Sequence, residues 1–173
     1  RIAAMLHDVG KVAIADAILK KPGKLTEEEF EIMKGHTVFG ARLFIEQGSD
    51  FDASAMEVAL NHHERWDGRG YPGYVNIETG LPLEGYKGQD GRACGKSGCD
   101  IPLFGRIAAI ADVFDALSSK RCYKEPWQDD QVLTELEKCK GLNFDPELIG
   151  HFISRLPTIR QIQKRYQEED VKE

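Results

Sequence analysis

From Phe104 to Leu117 the chain reads Phe-Gly-Arg-Ile-Ala-Ala-Ile-Ala-Asp-Val-Phe-Asp-Ala-Leu, apolar on nearly every side of a helix. A helix that lies at a surface carries its apolar residues in one stripe, so a helix without a polar face belongs at the centre of a helical assembly. This predicts an all-α fold built around a buried helix that starts near Leu103. Asp112 interrupts the run, flanked by Ala108, Ala111 and Ala116. A buried carboxylate is costly unless it is protonated, hydrogen-bonded or bound to a cation, and all three remain open for Asp112. Asp115, near it on the same helix, is expected to support neighbouring groups by hydrogen bonding.

The other segments fit the same class. Thr26 with Glu29 forms a capping-box pattern, followed by Phe30, Met33, Gly40 and Phe44 at helical spacing, which predicts one helix running to Gly48 with His36 facing inward. A second helix is expected to open at Asp52 as N-cap, with Met56, Ala59, Leu60 and His63 in one stripe and Ala55 and His62 beside it. Gly, Pro and Asp dominate from Asp67 to Pro102, which predicts loop with at most a short hairpin. Further helices are expected at about Gln128 to Lys140, from Pro146 to Leu156 with Asp145 as N-cap, and from Thr158 into a charged tail. No strand pattern competes with them.

The 173 residues suit one domain that needs no disulfides to staple it. A net charge of −6 argues against a nucleic-acid polymer as partner, so any phosphate must be held by local charge. No apolar run approaches the roughly 18 to 20 residues of a membrane span. Arg1 leads straight into Ile-Ala-Ala-Met-Leu, read as a fragment that begins inside a helix closed by Gly10. Cys94 and Cys99 share one Gly-rich loop while Cys122 and Cys139 stand alone, a pattern expected of a reducing cytoplasm.

Chemistry concentrates in the N-terminal third. Four of the five histidines, His7, His36, His62 and His63, fall within the first 63 residues, and Asp8 and Glu64 adjoin them. Imidazole and carboxylate together suit iron, manganese or zinc at a hydrolytic centre. His62-His63 could alternatively be a surface pair stabilised by its helix C-terminus. One dinuclear site accounts for these histidines and for an inward His36 at once, with Glu64 as a hydrogen-bond partner of a ligand.

A longer series is more specific. His7-Asp-Val-Gly-Lys11, Lys21-Pro-Gly-Lys-Leu25, Met33-Lys-Gly-His36, His62-His-Glu-Arg-Trp-Asp-Gly-Arg-Gly-Tyr-Pro72 and Arg106-Ile-Ala-Ala-Ile-Ala-Asp-Val-Phe-Asp-Ala-Leu117, with Arg121 and Lys124, resemble the HD-GYP family of HD-domain phosphohydrolases. The resemblance runs in order to about Leu156. It implies an HD-domain helical bundle, with residues 1–173 one catalytic domain. It also implies two or three iron or manganese ions and hydrolysis of cyclic di-GMP to pGpG or GMP by a hydroxide bridging the metals. Carried over by position, His7, Asp8, His36, His62, His63 and Asp112 are the implied metal ligands, with Asp8 as the bridge. Lys11 is implied to meet the phosphate, and Tyr71, Arg121 and Lys124 the substrate. Cyclic GMP-AMP or another phosphoester is an alternative substrate. A non-catalytic module that recruits a diguanylate cyclase through the Gly-Tyr-Pro surface is an alternative function.

The chain departs from the family pattern in two places. The upstream helix that carries a first histidine and a glutamate is absent from the sequence. Residues 73–100 form a long insertion after Gly-Tyr-Pro, expected to be a flexible surface loop, and residues 157–173 a charged terminal helix. Gly91 to Ser97 narrowly misses a phosphate-binding P-loop and lacks the flanking strand and helix. Cys94 and Cys99 could bind metal or respond to redox state, and Cys122, where relatives carry Pro, is expected to pack.

Overall fold

The computed structural model describes residues 3–46, 48–119 and 126–170. The architecture is all-α: α1 (Asp16–Leu19), α2 (Glu27–Lys34), α3 (His36–Arg42), α4 (Asp50–Asn61), α5 (Leu103–Ser118), α6 (Asp129–Lys138), α7 (Pro146–Ser154) and α8 (Leu156–Asp170), preceded by two short 3-10 turns at Ala3–Leu6 and Val9–Ala13. Among the described residues only isolated β-bridges occur, two of them, Val75 with Pro82 and Lys87 with Ala93, in the inserted segment.

Two apolar clusters organise these helices. In the larger, Ala109, Ile110 and Phe114 of α5 pack with Val132 and Leu136 of α6, Ile149 of α7, Phe144 and Leu156. Val132, Leu136 and Ile149 are fully enclosed, and burial of each such side chain is worth about 1.5–3 kcal/mol. The smaller cluster joins Val38 and Ala41 of α3 to Leu60 of α4, and Val75 and Ile77 of the insertion pack against it. The first part of the insertion is therefore packed onto the domain. Arg42 fastens it further by donating from Nε to the Ile77 carbonyl at 2.7 Å.

Several expected boundaries shift. The single helix from Thr26 to Gly48 is two, α2 and α3, separated at Gly35. His36 Nδ1 bonds the Met33 carbonyl at 2.7 Å and Thr37 Oγ1 donates to the Lys34 carbonyl at 2.9 Å, so side chains take acceptors that a continuous helix would use for its own amides. The predicted capping box at Thr26 is present. The second helix starts earlier than expected, because Ser49 is its N-cap and Asp52 is the reciprocal partner three positions on. Asp145 caps α7 as predicted. Helix α5 is less buried than its composition implies: Leu103, Phe104 and Ile107 stay half exposed near its N-terminal end, and its core contacts come from the other side.

Candidate metal centre and substrate cavity

Gly10 does not terminate a helix. It lies buried in the second 3-10 turn, where an added Cβ would sit 1.9 Å from the His36 carbonyl oxygen and 2.3 Å from the Gly40 nitrogen. Only a residue without a side chain lets this turn press on the backbone of α3. That contact brings Asp8 to His36, the first residue of α3, and α4 delivers His62 at its C-cap from the other side.

The ring orientations carry the chemical information. His62 directs Nδ1 at the carbonyls of Val58 and Ala59, at 3.1 and 3.0 Å, as His36 directs Nδ1 at Met33. A carbonyl only accepts, so each neutral ring holds its proton on Nδ1 and a lone pair on Nε2. These two Nε2 atoms lie 3.3 Å apart. Asp8 Oδ1 is 3.4 Å from the first and 3.8 Å from the second, buried and without a hydrogen-bond partner. Three acceptors thus converge with no proton between them, an arrangement that repels itself and that a cation would satisfy. With His63 added, the four ligand atoms fall within 4.8 Å of one another. The donor set fits a divalent metal ion.

The second carboxylate oxygen of Asp8 faces another group. His7 Nε2 lies 3.4 Å from Oδ2 and Lys11 Nζ 2.5 Å from it. His7 Nδ1 bonds the Ala4 carbonyl at 2.8 Å, again turning Nε2 inward, and Asp112 Oδ1 stands 3.7 Å from that nitrogen. Asp8 therefore has one oxygen toward each histidine group, a disposition suited to bridging two cations. Asp112 is not buried as its apolar context suggested: its side chain is 31% exposed, because it lines the cavity and adjoins the exposed Ala111. Asp115 is exposed and takes a hydrogen bond from Ser119 Oγ at 2.8 Å, so it supports its own helix end and not the site.

Burial alone would push the Asp8 carboxyl up, but hydrogen bonds from His7 and Lys11 outweigh it and hold the group well below the usual carboxylate range. Burial, reinforced by the neighbouring imidazoles, lowers His62 to about 3 and His63 to about 4, and burial lowers His36 too. The hydrogen bond with Asp8 raises His7. Near neutral pH three rings are thus unprotonated, the state that ligation requires.

Glu64 plays a different part from the one expected. It bonds no histidine; it is buried and accepts from the Gly73 amide at 2.6 Å and the Lys96 amide at 3.2 Å. It thereby ties the Gly-Tyr-Pro turn, whose Tyr71–Pro72 bond is cis, to the far end of the insertion. Lys96 donates its ammonium to Asn61 Oδ1 at 2.6 Å, so the lysine of the near-miss P-loop is spent internally. Cys94 and Cys99 are exposed free thiols, and neither belongs to the ligand cluster.

A cavity of about 810 Å³ opens beside the histidines, lined among others by His62, His63, Tyr71 and Asp112, within the range of small-molecule sites. Tyr71 stacks on His63 with centroids 4.8 Å apart and meets Phe30 edge-on at 6.3 Å. Lys34 Nζ lies 5.5 Å from the Tyr71 centroid and 5.3 Å from that of Phe30. Phe30 and Lys34 escaped sequence reasoning as site residues, although their i, i+4 spacing puts them on one face of α2. Arg121, Cys122 and Lys124 lie outside the described residues.

The HD domain family model matches residues 1–117. The chain is 45% identical over 147 residues to a 3′3′-cGAMP-specific phosphodiesterase 2 of Vibrio cholerae, covering 85% of this chain and 24% of that protein. It is 40% identical over 170 residues to a cyclic di-GMP phosphodiesterase of Thermotoga maritima, covering 98% and 40%. With the cyclic di-GMP phosphodiesterase response regulator RpfG of Xanthomonas campestris it shares 41% identity over 161 residues, covering 93% and 37%. It therefore spans about a quarter to two fifths of the length of these curated relatives. The matched family model, the likeness to these phosphodiesterases and the His-Asp through Gly-Tyr-Pro series agree: the chain belongs to the HD domain family, in its HD-GYP branch.

Proposed function

We propose that this chain is the hydrolytic part of a metal-dependent cyclic-dinucleotide phosphodiesterase acting on cyclic di-GMP. The observation that carries the reading is the buried, unpartnered Asp8 Oδ1 facing the His36 and His62 Nε2 atoms. Asp8, His36, His62 and His63 would hold one ion, and His7, Asp8 and Asp112 a second, with iron or manganese as the metal. Such ions lower the pKa of water and neutralise charge on a phosphoryl group. Water adds to phosphorus, the bond to the 3′ oxygen breaks, and that oxygen leaves with a proton.

The remaining groups bind and orient. Lys11, which donates to Asp8 Oδ2, would offset the negative charge of a phosphoryl oxygen bound beside that carboxylate. Tyr71, stacked on His63, presents an aromatic face to the cavity and would hold a base or ribose. Arg121 and Lys124 are assigned to the substrate by the family resemblance alone. Hydrolysis of 3′3′-cGAMP is a second reading, favoured by the 45% identity to a phosphodiesterase of that specificity.

The test is turnover by the manganese- or iron-loaded protein, with cyclic di-GMP and 3′3′-cGAMP offered side by side and products resolved by chromatography. Formation of pGpG or GMP supports the principal reading. Cyclic di-GMP left intact while cGAMP is consumed supports the second, and both left intact by a metal-loaded longer protein would overturn the enzyme.

A further inference from the structure

We propose that Glu31 of α2 and Arg92 of the inserted segment form a guanine-selective base subsite in the cavity, with Phe30 as its stacking surface. The proposal rests on the cyclic-dinucleotide reading for the identity of the molecule that carries the base. All three residues line the same cavity as His62, His63 and Asp112.

Arg92 Nη2 lies 2.8 Å from Glu31 Oε1, and Lys34 Nζ reaches the same oxygen at 2.6 Å. The Arg92 and Glu31 side chains are 61% and 41% exposed, and an ion pair so open to water contributes little to stability. The insertion is secured elsewhere, by Val75 and Ile77 against the smaller core cluster and by the Arg42 bond to Ile77. The backbone around Arg92 is nonetheless well defined. Its amide donates to Asp90 Oδ1 at 3.1 Å and its carbonyl accepts from the Gly88 amide at 2.8 Å. A hydrogen-bonded turn thus presents a guanidinium to the cavity, beside a carboxylate and an aromatic ring that is 46% exposed.

These groups match guanine edge for edge. A carboxylate accepts from guanine N1–H and the 2-amino group, while the guanidinium fork donates to O6 and N7. Adenine keeps only the N7 acceptor: its N1 lone pair would face the carboxylate, it has no 2-amino group, and its 6-amino protons would face the guanidinium. Phe30 offers either base a stacking face and so contributes affinity without choice. One such subsite admits any cyclic dinucleotide with at least one guanine, cyclic di-GMP and 3′3′-cGAMP alike, and disfavours cyclic di-AMP. The inserted segment, which the family resemblance leaves without a role, becomes a determinant of specificity.

Calorimetric titration of the EDTA-treated chain with cyclic di-GMP and with cyclic di-AMP tests this without relying on turnover. Wild type is expected to bind cyclic di-GMP at least about tenfold more tightly. Glu31→Gln and Arg92→Ala are each expected to bring the two affinities within about threefold of each other. No measurable binding of either ligand, no preference in wild type, or a full preference retained by either variant would overturn the proposal. A metal-loaded wild type that cleaves no cyclic dinucleotide, yet shows the preference and its loss in both variants, would sink the phosphodiesterase reading and leave the base subsite standing.

Discussion

The Nε2 atoms of His36 and His62 face each other across 3.3 Å while the opposite nitrogen of each ring is committed to a backbone carbonyl. Neither ring can rotate to donate to the other without abandoning that carbonyl. The pair is set for a cation, and its cost in the cation's absence is electrostatic.

Manganese or iron is therefore expected to stabilise the fold. A ligand that binds only the native state at a hundred times its Kd adds about 2.7 kcal/mol, which for a chain of this size raises Tm by roughly 5–10 °C. Scanning calorimetry with and without added Mn²⁺ measures the increment. His62→Ala and Asp8→Ala should abolish it, and EDTA should reverse it in wild type.

Acid should weaken the metal-free protein at unusually mild pH. In the unfolded chain these histidines titrate near 6.5, whereas folding lowers His62 to about 3 and His63 to about 4. Between those limits the unfolded state binds more protons, so the contribution is complete above pH 6.5 and is lost as pH falls toward 4. Each ring contributes on the order of 1 kcal/mol per pH unit in that window. His7, whose pKa is raised by Asp8, acts in the opposite direction but only above pH 6.5, where its contribution falls as pH rises, so it leaves the acid-side slope unchanged. Urea melts from pH 7.5 to 4.5 read the net effect, and His63→Ala should flatten it.

Gly10 and Gly150 should respond in opposite ways to the same substitution. A methyl at Gly10 meets the α3 backbone at under 2 Å, where nothing flexible can yield. Gly10→Ala is expected to cost about 3 kcal/mol or more and to reduce metal content by separating Asp8 from His36. Gly150 is exposed in α7 with nothing within 4 Å of an added Cβ, and Gly150→Ala should stabilise by about 0.4–1 kcal/mol. Denaturant midpoints and elemental analysis on both variants decide the comparison.

Glu64 joins the Gly-Tyr-Pro turn to the insertion from a buried position, with burial pushing its pKa up and the Gly73 amide and Lys96 opposing that. Glu64→Ala leaves two amides unpaired and Lys96 without its nearby anion. A loss of about 3 kcal/mol is expected, smaller in a Lys96→Met background because the two groups share one network. A double-mutant cycle in urea measures the coupling, and full additivity would contradict it.

Much of this was legible in the residues themselves. The Thr26 capping box, the Asp145 cap and the inward direction of His36 follow from local pattern, because each depends on neighbours three or four positions away. The break at Gly35 was not legible, since it turns on His36 and Thr37 taking carbonyls that the backbone would otherwise use. Asp112 was misjudged because helical periodicity reports an element's own faces and not the cavity beside it. The order of the insertion comes from contacts such as Glu64 to Lys96 and Arg42 to Ile77, thirty or more residues apart, and no local pattern announces those.

The break between α2 and α3 divides one stretch of chain between two surroundings. Phe30, Glu31 and Lys34 line the cavity from the first short helix, while His36 opens the second and faces Asp8 and His62, so a side-chain substitution on that face of α2 reshapes the cavity wall without removing a member of the histidine–carboxylate cluster.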